Sequence, residues 1–540
     1  MKTVKILVLI IFISNISSLC YAQNTGGTDF WFTFGSNYPD YNFYELDLQI
    51  RIISGEEPVM GTIYFTNLNK LVEFNMDAQE VFPYSLDNTE KQAVLNIAEG
   101  KSNRSIHITS NKKISVYALN QAFASTDATN ILPVNALGND YYQISYTRAA
   151  GFDAYAVVAM DEKTQVFQNG SLIATLEIGE VYYRTNITDM TGSHITSDKP
   201  VAFFAVNQGT LIPSGTYAVD CLFQQLAPVN KWGKTFFVPV SHLAKDRVRI
   251  VASQNGTDIT QNGGTLVSSL GSQMSFTNLQ AGQFIELEIN LNDNGCYIET
   301  NYPVGVCSFL TGCGYNTYTM SDPAQSWVPA IEQTVIDALV APFVPDGDTN
   351  LTAHNALIIS SKDTKDNTMV SVNGGTFQPL SGGIWRDHPS GMSYYNMPME
   401  HNKDKNYHFT NNGGIVVMCY GTGSAESYYY LGFSAMRNLD AAFYANNIHY
   451  QDLENNQICE NVVNFRAEID GKGVEIDTIK WFIDGVEETD VQNLFTWNKT
   501  FSPGEYEITM WVHFENDDTI TLTSILKRKN LFLKLRNIKH

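Results

Sequence analysis

The residues best placed to do chemistry are acids that recur in one setting. Asp127, Asp220 and Asp322 each follow a loop of small and polar residues, in QAFASTDAT, QGTLIPSGTYAVDC and TGCGYNTYTMSDP. A fourth loop, GTGSAESYYY, carries Glu426. Carboxylates on loops held by rigid strands suit ligand binding, and a suitably spaced pair could hydrolyse glycosidic bonds. No spacing nominates such a pair, so binding is the expectation. Tyr217, Tyr315 and Tyr318 in these loops, with Tyr428 beside Glu426, add amphipathic contact area suited to sugars or proteins. The plainer reading is that each Asp caps a turn or short helix and packs locally.

Other chemistry finds little footing. The sequence holds no H-E-x-x-H, no G-x-S-x-G and no G-x-x-x-x-G-K-[ST], so no catalytic residue and no cofactor is assigned. Asp346-Gly347-Asp348-Thr349-Asn350 opens like a calcium loop, but Leu351 and Leu357 stand where the glycine and the bidentate Glu belong. An ordinary acidic turn explains it, and no metal is assigned. Six cysteines follow residue 22, namely Cys221, Cys296, Cys307, Cys313, Cys419 and Cys459, without the spacing of a zinc site. In CYIETNYPVGVC a turn at Asn301-Tyr302 would set Cys296 directly across from Cys307, as a disulfide requires. Two buried free thiols fit the same pattern.

The elements that must position these loops are repeats. One phrase occurs four times: IHITSNKKISVYALN at 106–120, SHITSDKPVAFFAVN at 193–207, CYIETNYPVGVCSFL at 296–310 and YHFTNNGGIVVMCYG at 407–421. Each reads as a short strand, a polar turn and a β-branched, aromatic strand, which is a hairpin signature. The spacings of 87, 103 and 111 residues make each unit domain-sized. Strand pairs precede the hairpins, at 48–65, 154–170, 247–264 and 356–375, and PV phrases follow, as in ILPVNALG and LAPVNKWG. Helical periodicity is nearly absent, with a short helix expected only at Ile331 to Leu339. Gly, Asn and Asp punctuate every eight to twelve residues, which indicates sandwiches. The fold class is therefore all-β: four tandem sandwich-like repeat units over 23–450, either separate or closed into one body. Residues 455–525 change vocabulary and read as an immunoglobulin-like β-sandwich plugged by Trp481. Residues 526–540 hold six Lys or Arg and no acid, and read as a basic tail.

Residues 1–22 have the form of a secretory signal peptide: Lys2 and Lys5, an apolar run from Ile6 to Ile13, and Cys20-Tyr21-Ala22 before the cut. Acylation at Cys20 is the alternative, disfavoured by Leu19 before it. Cleavage would take the net charge from −22 to −24, a surface that repels phosphate and excludes general nucleic-acid binding. With 44% hydrophobic and 17% charged residues the 540-residue chain is not disordered, and no later stretch is apolar enough to span a membrane.

GTDFWFTFG at 27–35, ITSDKPVAFFAVN, STDATNILPVNALG and RVRIVASQNGTDITQNGG resemble the amino-terminal domain of the IgG Fc-binding protein family. The likeness covers roughly residues 27–345 and extends more faintly to 447. Related domains occur in mucus-associated animal proteins and exported bacterial surface proteins, and the carboxy-terminal unit looks like their PKD or immunoglobulin-like modules. The resemblance implies a secreted or cell-surface binding or adhesion protein, not an enzyme, recognising an extracellular protein or glycan such as an immunoglobulin or mucin. It supplies no catalytic residues. A glycan-processing enzyme with unrecognised carboxylates, or a structural part of a surface assembly, are the alternatives.

Overall fold

The computed structural model describes residues 24–38, 46–315, 321–345, 350–439, 441–454, 456–469, 476–514 and 519–529. The proposed leader, the acidic turn at 346–349 and most of the basic tail lie outside these residues. The chain is all-β and divides into two compact units, Gln23–Asp440 and a smaller one from Ala441 onward. The boundary falls earlier than the expected 450, because the strand Ala441–Ala445 pairs with Val462–Ile469 of the smaller sandwich.

The recurring phrase is not a hairpin. In each repeat it is one long strand: Ser105–Ala122, His194–Thr210, Cys296–Leu310 and Tyr407–Gly423. The first three polar stretches lack the Asn-Gly or Asp-Gly that reverses a chain in two residues. They bend the strand instead. In the second repeat the amino-terminal half lies between Gly138–Tyr142 and Thr164–Gln168, and the carboxy-terminal half lies between Arg148–Ala159 and Asp220–Gln225. The register shifts at the bend in every repeat. Pro200 and Pro303 sit there, where a missing N–H breaks no ladder. Each repeat is thus a sandwich whose two sheets share one strand. The expected strand pairs, such as Arg148–Ala159 with Thr164–Gln168, do not pair with each other; they arch from one sheet to the other.

This geometry places Cys296 and Cys307 eleven residues apart on a single strand, with side chains on different partners, Cys296 opposite Val238 and Cys307 opposite Trp327. Both are free thiols, so the expected disulfide does not form. The PV phrases become single 3-10 turns, Val134–Ala136, Val229–Lys231 and Ile331–Gln333, each followed by a strand. The helix expected at 331–339 is such a turn followed by the strand Val335–Val340, whose Val-Ile-Asp-Ala-Leu-Val favours extended pairing.

The acid-bearing loops contain strands too. Ser125–Ile131, Asp220–Gln225, Ala324–Trp327 and Glu426–Phe433 each pair with their own long strand and pack against the next repeat's equivalent, closing a ring about one axis. All their residues are buried. Residues 24 and 25 complete the ring: Thr25 N–H donates to Ser434 O at 3.0 Å beside a bridge between Asn24 and Ala435. The four repeats are one closed body.

In the smaller unit a four-stranded sheet (Ile448–His449, Ala441–Ala445, Val462–Ile469, Thr496–Thr500) faces a five-stranded one that includes Ile476–Ile483, Gly504–Phe514 and Thr519–Arg528. Trp481 is fully buried among Phe443, Phe465 and Trp497, the plug expected from sequence. Residues 526–528, expected in the basic tail, finish the last strand. Trp481→Ala should cost this unit about 3–5 kcal/mol. Urea titration read by hydrogen exchange in Gly504–Phe514 checks this, and an unchanged midpoint would show that the plug does not hold the core.

Candidate functional site

The ring strands begin at a common end of the body. Cys221 N–H donates to Ser125 Oγ at 3.0 Å and Thr126 N–H to Asp220 Oδ1 at 2.6 Å, so the first and second strands start side by side. Ala124 N–H donates to Glu426 Oε1 at 3.3 Å, and Asp322 N–H to Ser427 Oγ at 2.9 Å, which brings in the fourth and third. Asp127, Asp220, Asp322 and Glu426 are thereby brought to one end of the body. They gather inside the protein, however, each almost wholly buried, so none offers a carboxylate to a macromolecular ligand.

Asp127 lies on the axis and accepts one backbone N–H from each ring strand. Its Oδ1 accepts from Ala128 at 2.9 Å and Tyr429 at 3.1 Å, and its Oδ2 from Phe223 at 3.0 Å and Gln325 at 3.1 Å. Burial pushes its pKa well above the usual carboxylate range, and the four N–H groups pull against that shift. Burial also raises Asp220 strongly, with the neighbouring Asp322 and Asp127 charges adding to it. Asp322 is pushed up to about 8 by burial and by Glu426. Asp220 Oδ2 and both Asp322 carboxyl oxygens are buried without a hydrogen-bond partner among the described residues. Asp220 and Asp322 suit the protonated state, in which repulsion between them vanishes. Among the described residues no group of three or more His, Cys, Asp or Glu is arranged to hold a metal ion.

The surface above the acids is aromatic. Phe123, at the turn before Ser125–Ile131, is 66% exposed, and Tyr217, in the loop before Asp220–Gln225, is 75% exposed. Phe152, whose N–H donates to Gln208 Oε1 at 3.0 Å near the end of the second long strand, is 40% exposed. Ala124, Ala218 and Ala425 in these turns have φ of 55°, 63° and 57°, a left-handed conformation that is costly for a residue with a Cβ and typical of functional loops. Tyr315 is tied down: its hydroxyl accepts from Arg247 Nη2 at 2.7 Å and donates to Glu288, and Lys245 and Arg247 cover its ring. Tyr428 is fully buried, bonded to His354. Tyr318 lies outside the described residues. Phe123 was legible in QAFASTDAT but was overshadowed there by the Asp. On the smaller unit, Tyr444, Arg466, Asn464 and Asn498 help line a polar cleft of about 700 Å³.

A family model described as IgGFc binding protein matches residues 18–184 and 127–421. The chain belongs to the IgGFc binding protein family. The human IgGFc-binding protein is 30% identical over 243 residues, covering 42% of this chain and 4% of that protein, so the chain spans a small part of that relative's length. Among solved structures, the fibronectin(III)-like modules of Clostridium thermocellum CbhA align with 36% of this chain and 87% of theirs. That alignment has 9% identity and a TM-score of 0.14, too low to bear on the fold.

Asp127→Ala should destabilise the body by about 3 kcal/mol or more, because several buried donors lose their acceptor together. Asp127→Asn should not rescue it, since an NH₂ would face two N–H groups. Denaturant unfolding of both variants checks this. Asp322 has a raised folded pKa, so its contribution is complete below the unfolded value of about 3.9 and is lost as pH rises through about 8. Asp322→Asn should therefore gain on the parent in melting temperature from pH 5 to pH 9, and parallel curves would refute this.

Proposed function

We propose that this chain is an exported binding protein, not an enzyme, that meets an extracellular protein through the acid end of its four-repeat body. The observation that carries this is the exposed aromatic set of Phe123 and Tyr217, on turns anchored to a buried ring, with Phe152 at the irregular start of the strand Arg148–Ala159. Aromatic side chains on rigid supports lose little entropy on contact and supply most hot-spot energy in protein interfaces. The buried acids act as internal supports of this surface. No helix among the described residues is long and apolar enough to cross a membrane, and the acidic balance of −22 disfavours nucleic acid.

Membership of the family makes immunoglobulin Fc the first partner to test, as the human relative's printed name is IgGFc-binding protein. A glycan is the second reading, favoured by the amide-lined cleft of the smaller unit, where Asn464 and Asn498 sit opposite each other on neighbouring strands. Each amide offers both a donor and acceptors, which matches paired hydroxyls.

With the parent chain immobilised, Fc and a glycan panel would be passed over it and over the Phe123→Ser/Tyr217→Ser double variant. The expected result is a Kd for a protein partner weakened at least about tenfold in the variant. An unchanged Kd moves the contact elsewhere, and a parent that ignores Fc rejects that partner.

A further inference from the structure

The smaller unit carries a polar sheet face whose groups are left unused. Phe465 and Trp497 stand opposite each other, stacked in the core. Side chains alternate along a strand, so their neighbours Asn464, Arg466, Thr496 and Asn498 stand on the outer face. Tyr444 joins them as the partner of Arg466 on the next strand. Ala467 N–H donates to Phe495 O at 2.7 Å and Phe501 N–H to Asn461 O at 2.9 Å, which puts the ladder bonds on the odd-numbered pairs. Asn464 and Asn498 therefore form a non-bonded pair, the kind whose side chains lie closer together.

The turn Asn446-Asn447 borders the cleft, with φ of 48° and 67°. Asn464 N–H donates to Asn446 Oδ1 at 2.8 Å and pins it to the sheet. Glycine suits the second position of such a turn and asparagine occupies it at some cost, so the turn itself does not call for the Asn447 amide. Nor does the rest of the unit. The side chains of Tyr444, Asn447, Asn464, Thr496 and Asn498 have no hydrogen-bond partner among the described residues. Trp497 lines the same cleft, is 8% exposed, and its Nε1 has no acceptor among them. The outer face of the five-stranded sheet is the contrast. There Thr509 and Thr523 bond to each other at 2.9 Å, His513 bonds to Asp477 at 2.9 Å, and Lys480 pairs with Glu487 at 3.4 Å. The cation of the cleft is already engaged: Glu468 pairs with Arg466, and the Tyr444 ring centre lies 4.2 Å from its guanidinium. Glu460 borders the cleft with one long contact, 3.4 Å, from Asn446. In a chain of net charge −22 nothing there favours an anion.

We infer that the smaller unit is a separate lectin-like module that binds a neutral saccharide on this face. The inference rests on the glycan reading of the cleft and gives it a ligand class and a mode of contact; it does not depend on the protein contact at the acid end. The paired Asn464 and Asn498 amides each give a donor and an acceptor to neighbouring hydroxyls. Asn447 and Trp497 add donors, and Thr496 adds a hydroxyl. Val462, 45% exposed in the same cleft, meets the apolar C–H groups of a sugar ring. An unpaired indole N–H beside free amides is costly to an empty site and is satisfied by a hydroxyl-rich ligand.

The test is titration calorimetry of the full chain with oligomers of glucose, mannose, galactose and N-acetylglucosamine, and with sialyllactose and a heparin oligosaccharide as acidic probes. The expected parent binds at least one neutral oligomer saturably and neither acidic probe more tightly. The Asn464→Ala/Asn498→Ala double variant should weaken that binding at least about tenfold with an unchanged melting temperature. Asn447→Gly should weaken it too while leaving the melting temperature unchanged or raised, which a merely structural asparagine would not do. A parent that binds no neutral oligomer, or that prefers an acidic probe, overturns the inference. Binding that survives the sheet variants overturns it equally, and its loss in Phe123→Ser/Tyr217→Ser would then place the saccharide at the acid end. Failure of Fc to bind the same parent counts against the protein reading alone.

Discussion

Four strands that meet edge-on at an axis face one constraint. Each is hydrogen-bonded along one edge to its own long strand, and the other edge turns toward the axis with its N–H groups in need of acceptors. Water is excluded, because the strands are buried from end to end. Side chains must therefore replace a ladder. Asp127 does so for all four strands at once. Further along, Thr129 Oγ1 accepts from Gln225 N–H and Gln224 Nε2, both at 2.8 Å, and Gln225 Oε1 accepts from Leu132 N–H at 2.8 Å. Only one carboxylate fits on the axis, so the fourfold pattern cannot be exact. The other acids stand nearer the strand starts, where they satisfy fewer donors and raise one another's pKa.

The sequence made the repeats legible because the alternation of apolar residues survives whichever way a strand bends. It did not distinguish a bend from a reversal. SDKP breaks the pairing in both cases, and the path of the chain beyond it is set by whether the next strand meets the same sheet or the facing one. The Asp loops were misread for a related reason. Small and polar runs such as STDAT look solvent-facing, yet here each polar group answers a backbone group of another repeat, a relation visible only once the ring has closed. Asp87-Asn88-Thr89-Glu90 is a capping box that starts the helix Asn88–Val94, a helix that apolar periodicity passes over. Trp481 was legible, because a single large aromatic between short strands has few places to go other than a sandwich core.

The same constraint explains why the surface at the acid end can vary. The ring fixes where each loop leaves and returns, and the turn residues above it need only span that gap. Ala124 and Ala425 hold equivalent turns in a left-handed conformation, a strain the buried strands on both sides can impose. Phe123, next to such a turn, is largely exposed. The exposed aromatics then differ from repeat to repeat while the scaffold below does not. That is the arrangement expected of a recognition surface rather than of a conserved internal packing motif.

Repeats this alike must still assemble in order, and the four seams between them use different chemistry. The first meets the second through stacked Phe34 and Phe223 and through Ser36 bonded to Tyr183. The second meets the third through Arg249, which is buried between Asp189 at 2.7 Å and Glu286 at 3.1 Å and lies over the Tyr146 ring. The third meets the fourth through His242, bonded to Tyr420 at 2.7 Å. The fourth returns to the first through Tyr117, which donates to Gly432 O at 2.8 Å, and through Arg51 beside Phe343. Glu286 belongs to the third repeat itself, so a neighbour that does not bring Asp189 leaves the buried Arg249 guanidinium with one of its two carboxylates, a costly mismatch. An apolar seam such as Phe34 with Phe223 gives adhesion without that discrimination. The seam at Arg249 therefore favours the one neighbour that supplies Asp189, while the fourth repeat closes on the first through Tyr117, Arg51 and the Thr25 contact together.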